Sequence, residues 1–431
     1  MGAVQDQQPQ WLLDILQGHT RPRTLYAWTA ANLGSNAQHT VFKPLNDLDR
    51  RIFILGIGNM GRLYASYLSK IPERPPITLV VHRRELLQQW EDGNGIEFTR
   101  SDTVEANKSF DVEWWTDSRP DLGPVQEVAG GQHIKNLLIT TKASVALPEA
   151  DKLRVYLNET STVAFAHNGM SKMWPPHGPM YAAHRYAVGR APSFISCITT
   201  HGVTSLGPFR SIHASQADAV VGPVLPSSHA AASTRYLINQ ITSAPHLNSR
   251  PSPRGELWVL QLEKLIVNSI INPLTAVLRC KNGVLFATDD GRIVLVMDKL
   301  LEEASQVLQR LVHHSSSAEI LNESSGDGPE SADLDNRRRD LTERFSQPRL
   351  KAMLQKVGAM VAENTSSMLQ DIRADKELEI RDFNGWLVDM AAYLGQGLDV
   401  SCHQALIALV EKRAVLTVED LQRELLDPQR Q

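Results

Sequence analysis

Lys264, Asn268 and Asn272 recur every four residues along an otherwise apolar stretch from Trp258 to Ala276. A four-residue step keeps side chains on one face of a helix, so the three form a polar stripe. Burying polar groups is costly unless they find partners. Such a stripe is therefore either an internal hydrogen-bond network or a ligand-facing surface, and periodicity alone splits these evenly. Pro273 disturbs the local helix hydrogen bonding and frees backbone near Asn272. A lysine here could protonate or stabilise a developing oxyanion, because burial tunes its pKa, while asparagines donate without adding charge.

The second chemical feature is the turn Gly56-Ile57-Gly58-Asn59-Met60-Gly61. A lone G-x-G-x-x-G is weak evidence. Here it follows the short apolar run Arg51–Leu55 and opens a segment with Leu63, Tyr64, Tyr67 and Leu68 on one side. In that context Gly56 permits the tight turn, Gly58 lets a pyrophosphate approach, and Gly61 allows close helix–strand packing. The helix N-terminus then faces the phosphates. Pro72, Pro75 and Pro76 stop the helix, and Ile77–Val81 reads as a second strand, completing a βαβ unit. That strand ends Val81-His82-Arg83-Arg84 with no acid before Glu85. An NAD site usually places an acid there, whereas arginine suits a 2′-phosphate, so NADPH is the expected cofactor. The alternative is that Arg83 and Arg84 are solvated residues at a helix start.

These residues must be carried by a larger frame. Further apolar runs at 136–140, 161–165 and 193–198 extend the parallel sheet, whose carboxyl edge would hold the ligand. Residues 226–254, rich in Ser, Pro, Ala and Asn, read as the domain boundary. Beyond Gly255 long helical patterns dominate. The expected architecture is an α/β Rossmann domain with a parallel sheet over 50–250, followed by an all-α domain over 251–431. Residues 1–49 read as a partly irregular leader with an amphipathic piece at Trp11–Leu16, and 313–340 as a flexible polar insertion.

The 431 residues suffice for two cores, and a net charge of −4 gives no reason to expect nucleic acid. Three scattered cysteines, Cys197, Cys280 and Cys402, argue against a disulfide framework or zinc site and fit a reducing compartment. No metal and no membrane span are expected. The reading favours a cytoplasmic location, with a mitochondrial one as the alternative given Arg21 and Arg23 near the start. A homodimer stays open.

The motif set as a whole resembles the ketopantoate reductase (2-dehydropantoate 2-reductase) family, in a eukaryotic, fungal-like form. The resemblance rests on the Gly56 turn, Thr140-Thr141-Lys142-Ala143, His167-Asn168-Gly169, the Lys264 helix, Lys281-Asn282-Gly283, Ser366–Asp371, and Glu379-Ile380 with Asn384-Gly385, in family order across residues 51–410. It implies NADPH-dependent reduction of 2-dehydropantoate to (R)-pantoate, with the active site in the interdomain cleft. It makes Lys264 the proton donor and Glu379 a partner that positions Lys264 or the cofactor. Asn168, Asn268, Asn272, Asn282 and Ser367 would bind substrate, and Lys142 and Asn168 would lie beside the cofactor. Considered without the resemblance, Glu379 would read as a surface helix residue and Ser367 as an N-cap. His167 stands where many members carry glutamine, and 171–192 and 313–340 exceed the compact pattern. Two other functions remain: reduction of a related small branched 2-keto acid, and a non-catalytic nucleotide-binding scaffold.

Overall fold

The computed structural model describes residues 8–18, 23–34, 47–287, 291–323, 330–395 and 397–427. They fall into two compact units. One comprises the described residues of Asp14–His167 and Ser171–Pro253; the other comprises those of Met1–Leu13, Asn168–Met170 and Arg254–Gln431.

The chain opens with helix α1 (Gln10–Gln17) and strand β1 (Tyr26–Trp28). The α/β unit continues as β2 (Ile52–Leu55), α2 (Asn59–Leu68), β3 (Ile77–Val81), α3 (Arg84–Asp92), β4 (Ile96–Arg100), β5 (Thr103–Asn107) and β6 (Asp111–Thr116). Next come β7 (Asn136–Ile139), α4 (Ala143–Lys152), β8 (Thr162–Phe165), α5 (His177–Arg185) and β9 (Ser193–Thr199). The unit closes with β10 (Gly202–Gly207), β11 (Arg210–Ser215), β12 (Ala219–Leu225), α6 (Ala231–Ser243) and β13 (Ser249–Pro251).

Strands β2, β3, β7 and β8 are buried along their whole length, as strands of a parallel sheet covered on both faces must be. The main sheet runs β1-β6-β3-β2-β7-β8-β9-β12-β13. Its parallel centre, β6-β3-β2-β7-β8-β9, has the 3-2-1-4-5-6 order of the doubly wound dinucleotide-binding fold. The order reverses between β2 and β7, so the crevice for a ligand opens at their carboxyl ends. A second sheet, β10-β11-β4-β5, packs on α2.

Several expectations are corrected here. The leader is not irregular over its described part: β1 is an edge strand paired antiparallel with β6. Asn32, buried, ties the following turn to the carbonyls of Leu122 and Pro124. The region at 226–254 contains the division between the two units, at Pro253 and Arg254, and the residues before it are built into the α/β unit. Its α6 buries Leu237 and Ile241 in the core, and Ser252 closes onto the carbonyl of Val221. Residues 171–192 are packed rather than appended: α5 buries Tyr181, and Asp151 receives Tyr181, Arg154 and Arg185.

The helical unit comprises α7 (Arg254–Leu278), α8 (Val284–Ala287), α9 (Gly291–His313), α10 (Ala318–Asn322), α11 (Glu330–Arg344), α12 (Gln347–Met360), α13 (Ser367–Arg373), α14 (Ile380–Leu394), α15 (Ser401–Glu411) and α16 (Val418–Leu426). The polar stretch at 313–340 is helical in its described residues, with 324–329 lying outside them. Arg337 pairs with Asp333 one turn back and donates to the carbonyl of Leu321, and Arg254 pairs with Glu319 and Glu323. Polar composition concealed a helix held by such pairs. Among the described residues, no helix is long and apolar enough to cross a membrane.

Candidate active site

Helix α7 runs unbroken through Pro273, and its polar stripe is longer than three residues. Gln261, Lys264, Asn268, Asn272 and Thr275 follow one another at three- and four-residue steps, so they share a face. Lys264 Nζ donates to Asn168 Oδ1 at 3.2 Å, and Asn168 Nδ2 donates to Glu379 Oε2 at 3.4 Å. The segment bearing Asn168 is anchored by buried Gln261, whose Nε2 donates to the carbonyl of Gly169 at 2.9 Å. Gly169 takes φ +78°, and a Cβ there would lie 2.7 Å from the backbone oxygen of Asp382. Glycine is therefore required for that backbone to approach α14.

Burial lowers the Lys264 pKa to about 8, and the carboxylate of Glu379 partly opposes the shift. Glu379 is 8% exposed at the N-cap of α14 and does not cap it with its side chain, so it is not a surface helix residue. Its charge is directed at the lysine. The arrangement yields an ammonium that can lose its proton near neutral pH, held by an amide that also contacts its counter-ion.

Further along the stripe, Asn272 Nδ2 donates to Ser367 Oγ at 3.4 Å. Ser367 is exposed and is the first residue of α13; the N-cap is Ser366, whose Oγ accepts from Leu369 N at 3.2 Å and from Thr275 Oγ1 at 2.7 Å. Asn268, in the same helix, is half-buried. Asn282 is separate: its Nδ2 donates to the carbonyl of Val361 at 3.2 Å, and it holds the 361–364 turn rather than joining the Lys264 group. Gln261 and Thr275 were missed in the sequence. The signal was present, as two further hydrogen-bonding residues in phase with Lys264, but uncharged polar residues in a helix carry little weight alone.

Pro273 also has a structural consequence. It removes the donor to the carbonyl four residues earlier, that of Ser269. Asn384 Nδ2 fills the gap at 2.9 Å. The same nitrogen lies 2.9 Å from His403 Nδ1, and His403 Nε2 lies 3.1 Å from the carbonyl of Leu300. Burial lowers the His403 pKa to about 4, so the ring is neutral, accepting at Nδ1 and donating at Nε2. The clamp fixes α14, and with it Glu379, against α7.

In the α/β unit the glycine turn sits at the carboxyl end of β2, at the switch point. Gly56 has φ +94°, and a Cβ there would lie 2.7 Å from Thr141 Cγ2. At Gly61 a Cβ would come within 2.2 Å of the Gly56 oxygen. Gly58, the N-cap of α2, has open space where its side chain would be and supplies no capping group. The cradle therefore fits a phosphate: free first-turn amides, no obstructing Cβ, and a positive helix end. Ile57 and Met60 turn their side chains to the core, and Asn59 bridges the Val203 carbonyl and Arg62. Their backbone remains part of the turn that would face a ligand. Lys142 is the N-cap of α4 at the carboxyl end of β7, and Arg83 and Arg84 open α3 at the end of β3.

Comparison with known proteins agrees with this architecture. Residues 52–226 match the family described as ketopantoate reductase PanE/ApbA, and residues 256–414 match its C-terminal part. The chain is 45% identical to ketoisovalerate reductase BEA2 of Gibberella fujikuroi and 45% identical to ketoisovalerate reductase of Beauveria bassiana. Each alignment covers 97% of this chain and 99% of the relative. The probable 2-dehydropantoate 2-reductase of Schizosaccharomyces pombe is 24% identical, over 85% of this chain and 97% of that protein. In fold, the chain is similar to the probable 2-dehydropantoate 2-reductase of Bacillus subtilis (TM-score 0.56, 21% identity, 84% and 99% coverage). It is also similar to D-mandelate dehydrogenase with NADH and anilino(oxo)acetate (TM-score 0.57, 15% identity, 86% and 99% coverage). A doubly wound sheet with its glycine turn at the switch point, a helical unit bearing the Lys264 stripe, and relatives at 45% identity along the full length lead to one assignment: the chain belongs to the ketopantoate reductase family of oxidoreductases.

Proposed function

We propose that the chain reduces a small branched 2-keto acid with NADPH, and that 2-ketoisovalerate is preferred over 2-dehydropantoate. The observation that carries the reading is the contrast in identity: 45% to relatives named ketoisovalerate reductase, against 24–26% to relatives named 2-dehydropantoate 2-reductase. This reverses the order expected from the motifs, which recognise a 2-keto carboxylate more clearly than the rest of the substrate.

The residues divide the work. The Gly56–Gly61 turn and Lys142 hold the dinucleotide, and Arg83 and Arg84 favour its 2′-phosphate. Bound there, the reduced nicotinamide supplies a hydride to the ketone carbon. Lys264 Nζ donates the proton that the carbonyl oxygen gains as negative charge builds on it. Asn168 and Glu379 hold the ammonium in place and keep it charged. Asn268 and the Asn272–Ser367 pair offer donors to the substrate carboxylate and its neighbouring carbon chain. A scaffold role is disfavoured, because a non-catalytic chain has no use for a desolvated lysine paired with a buried carboxylate.

The test is NADPH oxidation with each keto acid in turn. The expected result is a kcat/KM for 2-ketoisovalerate at least tenfold above that for 2-dehydropantoate, a difference of ~1.4 kcal/mol. The reverse preference would restore pantoate formation as the function, and no turnover with either would favour the scaffold.

A further inference from the structure

Strand β1 lies outside the family match that begins at residue 52, yet it reaches the ligand edge of the sheet. Its pairing with β6 sets Trp28 opposite Trp114, and the pairing of β6 with β3 sets Trp114 opposite Val81. Val81 is the last residue of β3, immediately before His82, Arg83 and Arg84. The Trp28 ring is fixed from two sides. Its Nε1 donates to the Ser118 carbonyl at 2.7 Å, and its centroid lies 5.4 Å from that of Trp114. The guanidinium carbon of Arg84 lies over the ring, 5.3 Å from its centroid and within cation–π range. Arg83, by contrast, has an exposed 4.0 Å contact with Glu85.

The end of the second strand of a doubly wound sheet is where the adenosine ribose of a dinucleotide is recognised. A guanidinium held over an aromatic ring is restrained there without using its N–H donors, which remain available to grip a phosphate. We propose that Trp28, contributed by the N-terminal strand, is a cofactor-specificity determinant: it holds Arg84 in a fixed orientation for the 2′-phosphate of NADPH. The proposal rests on the NADPH reading above. Trp28 is a positioning residue, acting through Arg84, and the N-terminal strand thereby becomes part of the cofactor site.

The test measures dissociation constants of 2′,5′-ADP and 5′-AMP, and of NADPH and NADH, for the full chain and for Trp28→Leu, Trp28→Phe and Arg84→Ala. Trp28→Leu is expected to weaken 2′,5′-ADP and NADPH about threefold to tenfold while leaving 5′-AMP and NADH unchanged. Trp28→Phe, which keeps an aromatic face, should restore most of the loss. Arg84→Ala, at an exposed position that does not threaten folding, should cost about tenfold on the same two ligands alone. If the wild-type chain prefers 2′,5′-ADP and the variants keep that preference, or if all four ligands weaken equally, the Trp28 proposal fails and the NADPH reading stands. If the wild-type chain binds 2′,5′-ADP no tighter than 5′-AMP, the NADPH reading fails and takes the proposal with it.

Discussion

In the proposed role Lys264 can give the proton only while it is an ammonium, and its pKa near 8 places that condition near neutral pH. Reduction should therefore hold steady below about pH 7 and fall above about pH 8, while the reverse oxidation, which needs the neutral amine, should rise over the same interval. Because Glu379 raises the lysine pKa against burial, Glu379→Gln is expected to move the inflection of the kcat profile to lower pH. An unmoved inflection would remove Glu379 from this role. Lys264→Ala should lower turnover about 10²-fold or more, as loss of a general acid does; near-normal turnover would overturn the assignment. Residue types made this group legible. The four-residue spacing placed Lys264, Asn268 and Asn272 on one face, and the structure shows hydrogen bonds along that face. The upper part of the stripe contacts Asn168, whereas Thr275 is held within the core by Ser366.

At the scale of elements, the tie between α7 and α14 is a side chain replacing a backbone donor. Asn384 serves the Ser269 carbonyl freed by Pro273 and the Nδ1 of a neutral, buried His403. Asn384→Ala would leave both acceptors unsatisfied in the interior at about 1–3 kcal/mol each. Thermal unfolding should then fall by roughly 5 °C or more, since ~1 kcal/mol shifts Tm by about 2–4 °C at this size. A melting temperature within 1 °C of wild type, a roughly unchanged value on that scale, would show that the clamp does not hold α14. The proline was legible as a break in hydrogen bonding, but its partner was not. Asn384 lies 115 residues from Ser269 in sequence, and nothing local joins the two. The same holds for β1 and for the β10-β11-β4-β5 sheet. Three of the strands in that sheet are short and partly exposed, and such segments carry no strong pattern until a neighbour covers them.

Across the whole molecule, buried titratable groups make stability depend on pH. Burial lowers His177, His213 and His403 to about 4 from an ordinary 6.5. Their folded values are depressed, so the stability they contribute is complete above pH 6.5 and is lost as pH falls toward 4. Burial raises Glu113 to about 7 from 4.5, against the hydrogen bond it receives from Trp115. A raised folded value works the other way: its contribution is complete below pH 4.5 and is lost as pH rises through 7. Taken together, these four groups contribute most near pH 6–7. In Glu113→Gln, the Tm advantage over wild type should grow between pH 5 and pH 8; a constant difference would contradict the assignment.

The sequence alone determined the doubly wound unit, the helical unit, the glycine turn between β2 and α2, and the polar stripe that carries Lys264. Each is written in contiguous residues: an apolar run, a glycine spacing, or a four-residue repeat whose physical meaning is local. It also singled out Arg83 and Arg84, on which the NADPH proposal rests. Only the tertiary structure decided which of the predicted residues act together. It joined Lys264, Asn168 and Glu379, set Asn282 apart on the 361–364 turn, and brought Trp28 beneath Arg84. The reason is range. A glycine turn or a helix stripe is set by neighbours a few positions away, whereas these contacts span distances in sequence over which chain composition carries no record of what will meet.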